Sequence, residues 1–188
     1  MTLIRKASRE KKKIKGLLSA SSGAGKTWGS LMIAKGLVGS WDKICIIDTE
    51  NKSSDLYANL GDYSVVELDA PYTPEAYIKA MKDIEAAGYE AIIIDSITHE
   101  WAGEGGCLEQ HNKLGGKFTD WGKVTPRHNQ FINTILKSNC HVLCTVRRKE
   151  EYTQSQGNDG KQKVVKLGLQ EITRDGFTYE MDFVFEID

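Results

Sequence analysis

The sequence predicts an α/β domain: a mainly parallel central sheet flanked by helices, with an antiparallel strand or hairpin toward the C-terminus. Two observations carry this. Apolar runs rich in β-branched residues recur at Lys43 to Asp48, Ala91 to Asp95 and Cys140 to Val146, as in strands covered on both faces. Stretches with helical patterning separate them, and such alternation favours a parallel sheet. The 188 residues are 40% hydrophobic and 27% charged, enough apolar surface for one core and too much for a disordered chain. A single domain over 1–188 is therefore expected.

Taken in order, Ile14 to Ser19 is a short apolar strand, and Ala20 to Gly25 is a run of small residues that neither a helix nor a strand interior favours. Lys26 to Leu37 is helical, with Leu31, Ala34 and Val38 on one face. After the strand Lys43 to Asp48 come a short helix, Ser53 to Leu60, and a strand, Ser64 to Leu68. Pro74, well placed in a first helical turn, opens a helix running to Ala87. Ala91 to Asp95 is a buried strand ending in an acid. Thr98 to Lys117 holds five glycines and reads as a long loop. Trp121 to Lys137 is helical, with Pro126 in its first turns, and Cys140 to Val146 is the next buried strand. The turn signal Gly157 to Gly160 lies in a polar stretch flanked by the alternating segments Lys161 to Leu167 and Phe177 to Ile187. Residues 1–13 read as a basic arm and 147–163 as a mobile loop.

Residues 20–27 read A-S-S-G-A-G-K-T between a strand and a helix, the context in which a glycine-rich string becomes a phosphate loop. Gly23 and Gly25 let backbone N–H groups turn toward a phosphate, and the helix starting at Lys26 adds unpaired N–H groups and a positive dipole end. The set expected to contact nucleotide is Ser21, Ser22, Gly23, Ala24, Gly25, Lys26, Thr27 and Trp28. Lys26 supplies charge to the β- and γ-phosphates of ATP, and the Thr27 hydroxyl ligates Mg²⁺. Ala20 stands where the strict pattern has glycine. Asp95, ending a buried strand, fits the second acid of such sites, holding Mg²⁺ through water, with Ser96 beside it. Hydrolysis further needs a carboxylate opposite the γ-phosphate. Glu50 is the first candidate, provided its strand lies between the phosphate-loop strand and the Asp95 strand; Glu100 is the second.

The segment IIDTENKSSDLYANLG (46–61) resembles the part of RecA-type recombinases that carries their catalytic glutamate. With ASSGAGKT, IIIDSIT (92–98) and LCTVRR (143–148) the resemblance spans nearly the whole chain, and the ending GFTYEMDFVFEID (176–188) is similar to a C-terminal strand of short phage ATPases with only a RecA core. The resemblance implies an ATPase with Lys26 and Thr27 on phosphate and magnesium, Glu50 activating water, Asp95 on magnesium, Thr145 sensing the γ-phosphate and Tyr57 stacking on adenine. It further implies single-stranded DNA as partner in phage-type recombination or annealing, and assembly into a ring or filament, with Lys166, Arg147 and Arg148 as candidates for reaching a neighbouring nucleotide.

In that arrangement the segments 98–117 and 147–163 face DNA, with Arg147, Arg148 and Lys149 on phosphates and Tyr152 stacking on a base. Charge is compatible: the net value is -1, so attraction to nucleic acid must be local. It concentrates in Arg5 to Lys15 and in Arg147 to Lys166, with seven and six basic residues. The four cysteines form no CxxC pair, so they read as reduced, and Cys107 with His111 and His99 lacks a second pair for zinc. No signal-peptide core or membrane-length apolar run is present, which places the expected location in the cytoplasm. Trp28, Trp41, Trp101 and Trp121 are expected to pack. A small-molecule or nucleotide kinase, or a nucleotide-gated binding module with negligible turnover, remain alternative readings of the same phosphate loop.

Overall fold

The computed structural model describes residues 12–156 and 162–187, with the backbone alone for 150–156 and 162–169. The basic arm over 1–13 and the turn at 157–160 thus fall largely outside the described residues. The strands are β1 (Lys15–Ala20), β2 (Ile44–Asp48), β3 (Ser64–Glu67), β4 (Ala91–Asp95), β5 (His141–Gln156), β6 (Gln162–Glu171) and β7 (Phe183–Ile187). The helices are α1 (Lys26–Val38), α2 (Pro74–Ala86), α3 (Thr98–Ala102), α4 (Cys107–Lys113) and α5 (Trp121–Lys137). Strand order across the sheet is β3-β2-β4-β5-β1-β7, with β6 antiparallel to β5 and every other pairing parallel.

The apolar runs form the inner strands because both of their faces are covered. Along β4, Ile92 and Ile94 point to one side with Tyr77, Met81 and Phe131 of α2 and α5, and Ala91 and Ile93 point to the other with Leu31 and Ala34 of α1. This is the two-residue alternation of a strand, hidden in the sequence because both faces are apolar. Lys15, within the basic N-terminal stretch, is also drawn inside: it is 3% exposed, and its ammonium donates to Ser138 O at 2.9 Å and Cys140 O at 2.5 Å.

Four expectations are corrected. The strand between β1 and β4 is β5, not β2, so Glu50 approaches from beyond β4. Residues 98–117 are not a loop but hold α3 and α4, whose inward face is Thr98, Glu100, Cys107 and His111. Helical spacing written in such residue types lacks an apolar signature. The mobile loop over 147–163 is replaced, among the described residues, by continued pairing: β5 and β6 are in register from Arg148↔Glu171 to Gln156↔Gln162, with an irregularity at Glu151/Tyr152. This ladder is the antiparallel hairpin of the predicted fold. Finally, the alternating segment from Phe177 begins as a short 3-10 turn (Phe177–Glu180), and only Phe183–Ile187 is strand, parallel to β1. Among the described residues no helix is long and apolar enough to cross a membrane.

Candidate functional site

The parallel strands β1, β2, β4 and β5 bring their C-terminal ends to one edge of the sheet, where a crevice is expected to hold ligands in open α/β folds. Between β1 and α1 the chain turns at Gly23 (φ 81°) and Gly25 (φ 87°), left-handed values that a side chain rarely tolerates. Gly25 precedes the first residue of α1, so the unpaired N–H groups of the first helical turn open toward the loop.

A cavity of about 210 Å³ lies there, lined by Ser22, Gly23, Gly25, Lys26, Thr27, Glu50, Ser53, Leu56, Tyr57, Asp95 and Arg147. Phosphate loop, Glu50, Tyr57 and Asp95, far apart in sequence, thus share one pocket. Lys26 Nζ donates to Ala20 O at 3.2 Å and Ser21 O at 2.7 Å. The ammonium is half-buried, and its pKa is lowered mainly by burial, with Arg147 adding to this and Asp95 opposing it. A cation so placed gains most from an anion that replaces water around it.

Asp95 is 2% exposed. Thr27 Oγ1 donates to its Oδ2 and Thr145 Oγ1 to its Oδ1, each at 2.5 Å. Burial pushes its carboxyl above the usual range; the two hydroxyls and Lys26 oppose that, and Asp48 reinforces it. Thr27 and Asp95 present oxygen donors side by side, the chemistry a hard divalent cation takes, and a polyphosphate-bound Mg²⁺ would supply charge neutralisation there. The sign of the pKa shift yields a prediction. A carboxyl whose pKa is raised by folding contributes stability below its unfolded pKa of about 4 and loses it as pH rises through the folded value. Burial thus disfavours the charged form of Asp95 in the folded protein, and Asp95→Asn should raise the Tm of the nucleotide-free protein by roughly a few degrees while removing Mg²⁺-dependent ATP binding. Calorimetry near pH 7 checks this; a lower Tm would contradict it.

The loop after β2 is shaped by residues the sequence did not single out. Asp48 accepts from the Glu50 N–H at 2.7 Å and the Ser54 N–H at 2.9 Å, a side-chain clamp that folds 49–54 back on itself while Asn51 and Lys52 take left-handed conformations. Thr49 ties β2 to β4: its hydroxyl donates to Asp95 O at 3.2 Å and accepts from the Ser96 N–H at 2.9 Å. Ser96 Oγ in turn donates to Glu50 Oε1 at 2.8 Å. Glu50 thereby enters the pocket although β2 is one strand further out than expected. The D-x-E spacing after a buried strand was the available signal for Asp48.

Other sequence-predicted residues lie elsewhere. Thr145 does not face the pocket: it is fully buried, and its hydroxyl is engaged by Asp95, because β5 runs directly beneath that carboxylate. Trp28 is 48% exposed and is absent from the pocket wall, since α1 turns it outward. It does not pack, whereas Trp41 lies among the partly buried residues against the α1-side core. Arg147, expected on a DNA-facing loop, lines the phosphate pocket. The Arg148 side chain is only 9% exposed and pairs with Glu186 of β7 at 3.1 Å, so it is turned into the fold and not outward to a DNA phosphate. Lys149 is exposed. Tyr152 and Lys166 have backbone positions in the β5–β6 ladder, and their side chains fall outside the described residues.

A second buried group was not foreseen. Glu100 accepts from Cys107 Sγ at 3.2 Å and contacts His128 Nδ1 at 3.0 and 3.1 Å, all three being at most 3% exposed. This network joins α3, α4 and α5 and takes Glu100 away from the phosphate pocket, removing it as a water-activating candidate. His111 stacks on Trp121 and His99 contacts Thr49, so neither joins Cys107.

Residues 12–188 match the family described as AAA domain. Comparison with curated proteins gives no match. The match spans nearly the whole sequence and agrees with the phosphate loop and the parallel sheet that presents it, so the chain belongs to the AAA-domain family of P-loop NTPases, in which nucleotide-binding ATPase activity is general.

Proposed function

We propose that the protein hydrolyses ATP with Mg²⁺ and that it is a RecA-like core of the phage recombination type, coupling the nucleotide to single-stranded DNA. The observation that carries the hydrolytic part is the meeting of Lys26, Thr27, Asp95 and Glu50 around one pocket. Lys26 and the loop amides hold the β- and γ-phosphates, Tyr57 packs against the base, and Thr27 with Asp95 hold the cation. Glu50 orients water. The water oxygen bonds to the γ-phosphorus as the bond to the bridging oxygen breaks, and that electron pair leaves with ADP. The water proton passes to Glu50 and then to solvent, giving ADP and phosphate.

A separate groove supports the DNA part. About 1140 Å³ of open space lies between α3, α4 and α5 on one side and the segment 170–175 on the other, with Trp101, Phe118, Trp121, Lys149 and Arg174 on its walls. Phe118 is 90% exposed, and Trp101 stacks on Trp121. Aromatic faces beside cations suit a strand whose bases stack and whose phosphates seek positive charge. The groove is bordered by α3 and by Lys149 of β5, two residues beyond Arg147 of the phosphate pocket, and the Arg147 N–H donates to Thr98 Oγ1 at 2.9 Å, tying α3 to the nucleotide side.

The test is ATP turnover with and without single-stranded DNA at several salt concentrations. Stimulation that falls with salt, and is lost in a Phe118→Ala, Lys149→Ala variant, is expected. Turnover indifferent to DNA would leave the ATPase and remove the DNA reading. Phosphate transfer to a nucleoside acceptor would replace both with a kinase.

A further inference from the structure

Arg147 lies within β5, at the last position paired with β1 (Ala20↔Arg147), on the strand between β1 and β4. Its backbone is fixed by the bond to Thr98, and its side chain reaches across the pocket to Glu50. Nε donates to Glu50 Oε1 at 2.9 Å, and Nη2 pairs with Oε2. Since Ser96 also donates to Oε1, both oxygens of the carboxylate are engaged. A carboxylate whose negative charge is already shared with a guanidinium and a hydroxyl is a weaker acceptor for a water proton. The arginine is not locked in place: its side chain is 39% exposed against 14% for Glu50, so it is the partner that can swing.

The pocket also sets up a competition. Lys26 and Arg147 both line it, and Arg147 contributes to lowering the Lys26 pKa, so the two cations feel each other. Glu50 already holds the guanidinium. A γ-phosphate offers the same fork-shaped donor three oxygens and more charge than one carboxylate. ADP offers nothing at that position.

We propose that Arg147 is a nucleotide-state switch acting through Glu50: the γ-phosphate of ATP draws the guanidinium off the carboxylate and so frees Glu50 to orient water, whereas ADP leaves the pair closed. This rests on the ATPase reading above. It makes Arg147 a positioning residue for the base as well as the residue that tells ATP from ADP. When phosphate departs after hydrolysis the ion pair re-forms and returns the site to its resting state.

The test is a set of Mg²⁺-nucleotide affinities, measured by calorimetry for ATP, for a non-hydrolysable ATP analogue and for ADP. Arg147→Ala should weaken ATP and the analogue about tenfold or more, the size of a charge-assisted contact, and change ADP by less than about twofold. Arg147→Lys, which keeps the charge without the fork, should recover part of the loss. Glu50→Gln removes the competing anion, so it should tighten the analogue in the parent protein and fail to do so in the Arg147→Ala background. A structural role for Arg147 would weaken both nucleotides together, and that result overturns the switch. So does tightening by Glu50→Gln that is indifferent to Arg147. Parallel turnover measurements keep the two readings apart: a wild-type protein that binds ATP but hydrolyses none would end the ATPase reading, while the affinity set would still decide on Arg147.

Discussion

Glu50→Gln is expected to lower ATP turnover about 10²- to 10⁴-fold, the usual worth of a positioned general base, with Mg-ATP binding equal or tighter. The substitution keeps shape and the contact from Ser96 Oγ, which a glutamine carbonyl accepts as well as a carboxylate does. What it removes is the anion that takes the water proton and pairs with Arg147. The loop around it should hold, because its geometry comes from Asp48 accepting from the Glu50 and Ser54 N–H groups and not from the Glu50 side chain. Single-turnover hydrolysis together with an affinity measurement checks this. Undiminished hydrolysis in the variant would remove Glu50 from the chemistry, and no second carboxylate replaces it in the pocket wall except Asp95.

The second large effect is on binding. Lys26→Ala should abolish most of the gain in thermal stability that Mg-ATP confers on the wild-type protein, with little change in the Tm of the free protein. The ammonium bonds the carbonyl of exposed Ser21 at 2.7 Å and, at a longer 3.2 Å, that of Ala20 at the buried end of β1, so its removal forfeits at most one weak contact to a buried group. In the bound state it faces two phosphates from a half-buried position. Loss of such a charge-assisted contact is worth roughly 2–3 kcal/mol, about a 30- to 150-fold change in affinity. Ligand-linked stabilisation follows affinity, which makes the thermal shift a direct readout.

Much of this site could be read from residue order alone. The phosphate loop was legible because glycine, lysine and threonine at fixed spacing between a strand and a helix have few other uses, and Asp95 because an acid seldom ends a fully apolar strand without a task. Glu50 reaches the pocket wall although the sheet order expected for it is wrong, since β2 lies beyond β4. The Asp48 and Thr49–Ser96 contacts reach the pocket from that side as well.

What stayed hidden depends on long-range packing. Arg147 and Arg148 look alike in sequence, as neighbouring cations before a polar stretch. Strand alternation sends one to the nucleotide pocket and the other toward Glu186, and only the sheet shows which. The helices α3 and α4 went unread because their buried positions are Thr98, Glu100, Cys107 and His111, polar residues that satisfy one another or nearby groups. The continued β5–β6 pairing was missed because its residues are charged and polar, a composition shared with loops.

Whether residues 20–27 and Asp95 hold a magnesium-bound triphosphate is decided by calorimetric titration with Mg-ATP. One nucleotide per wild-type chain, bound more weakly when Mg²⁺ is chelated and at least tenfold more weakly by Lys26→Ala, is the predicted result. Equal Mg-ATP affinity in wild-type and Lys26→Ala proteins would contradict it.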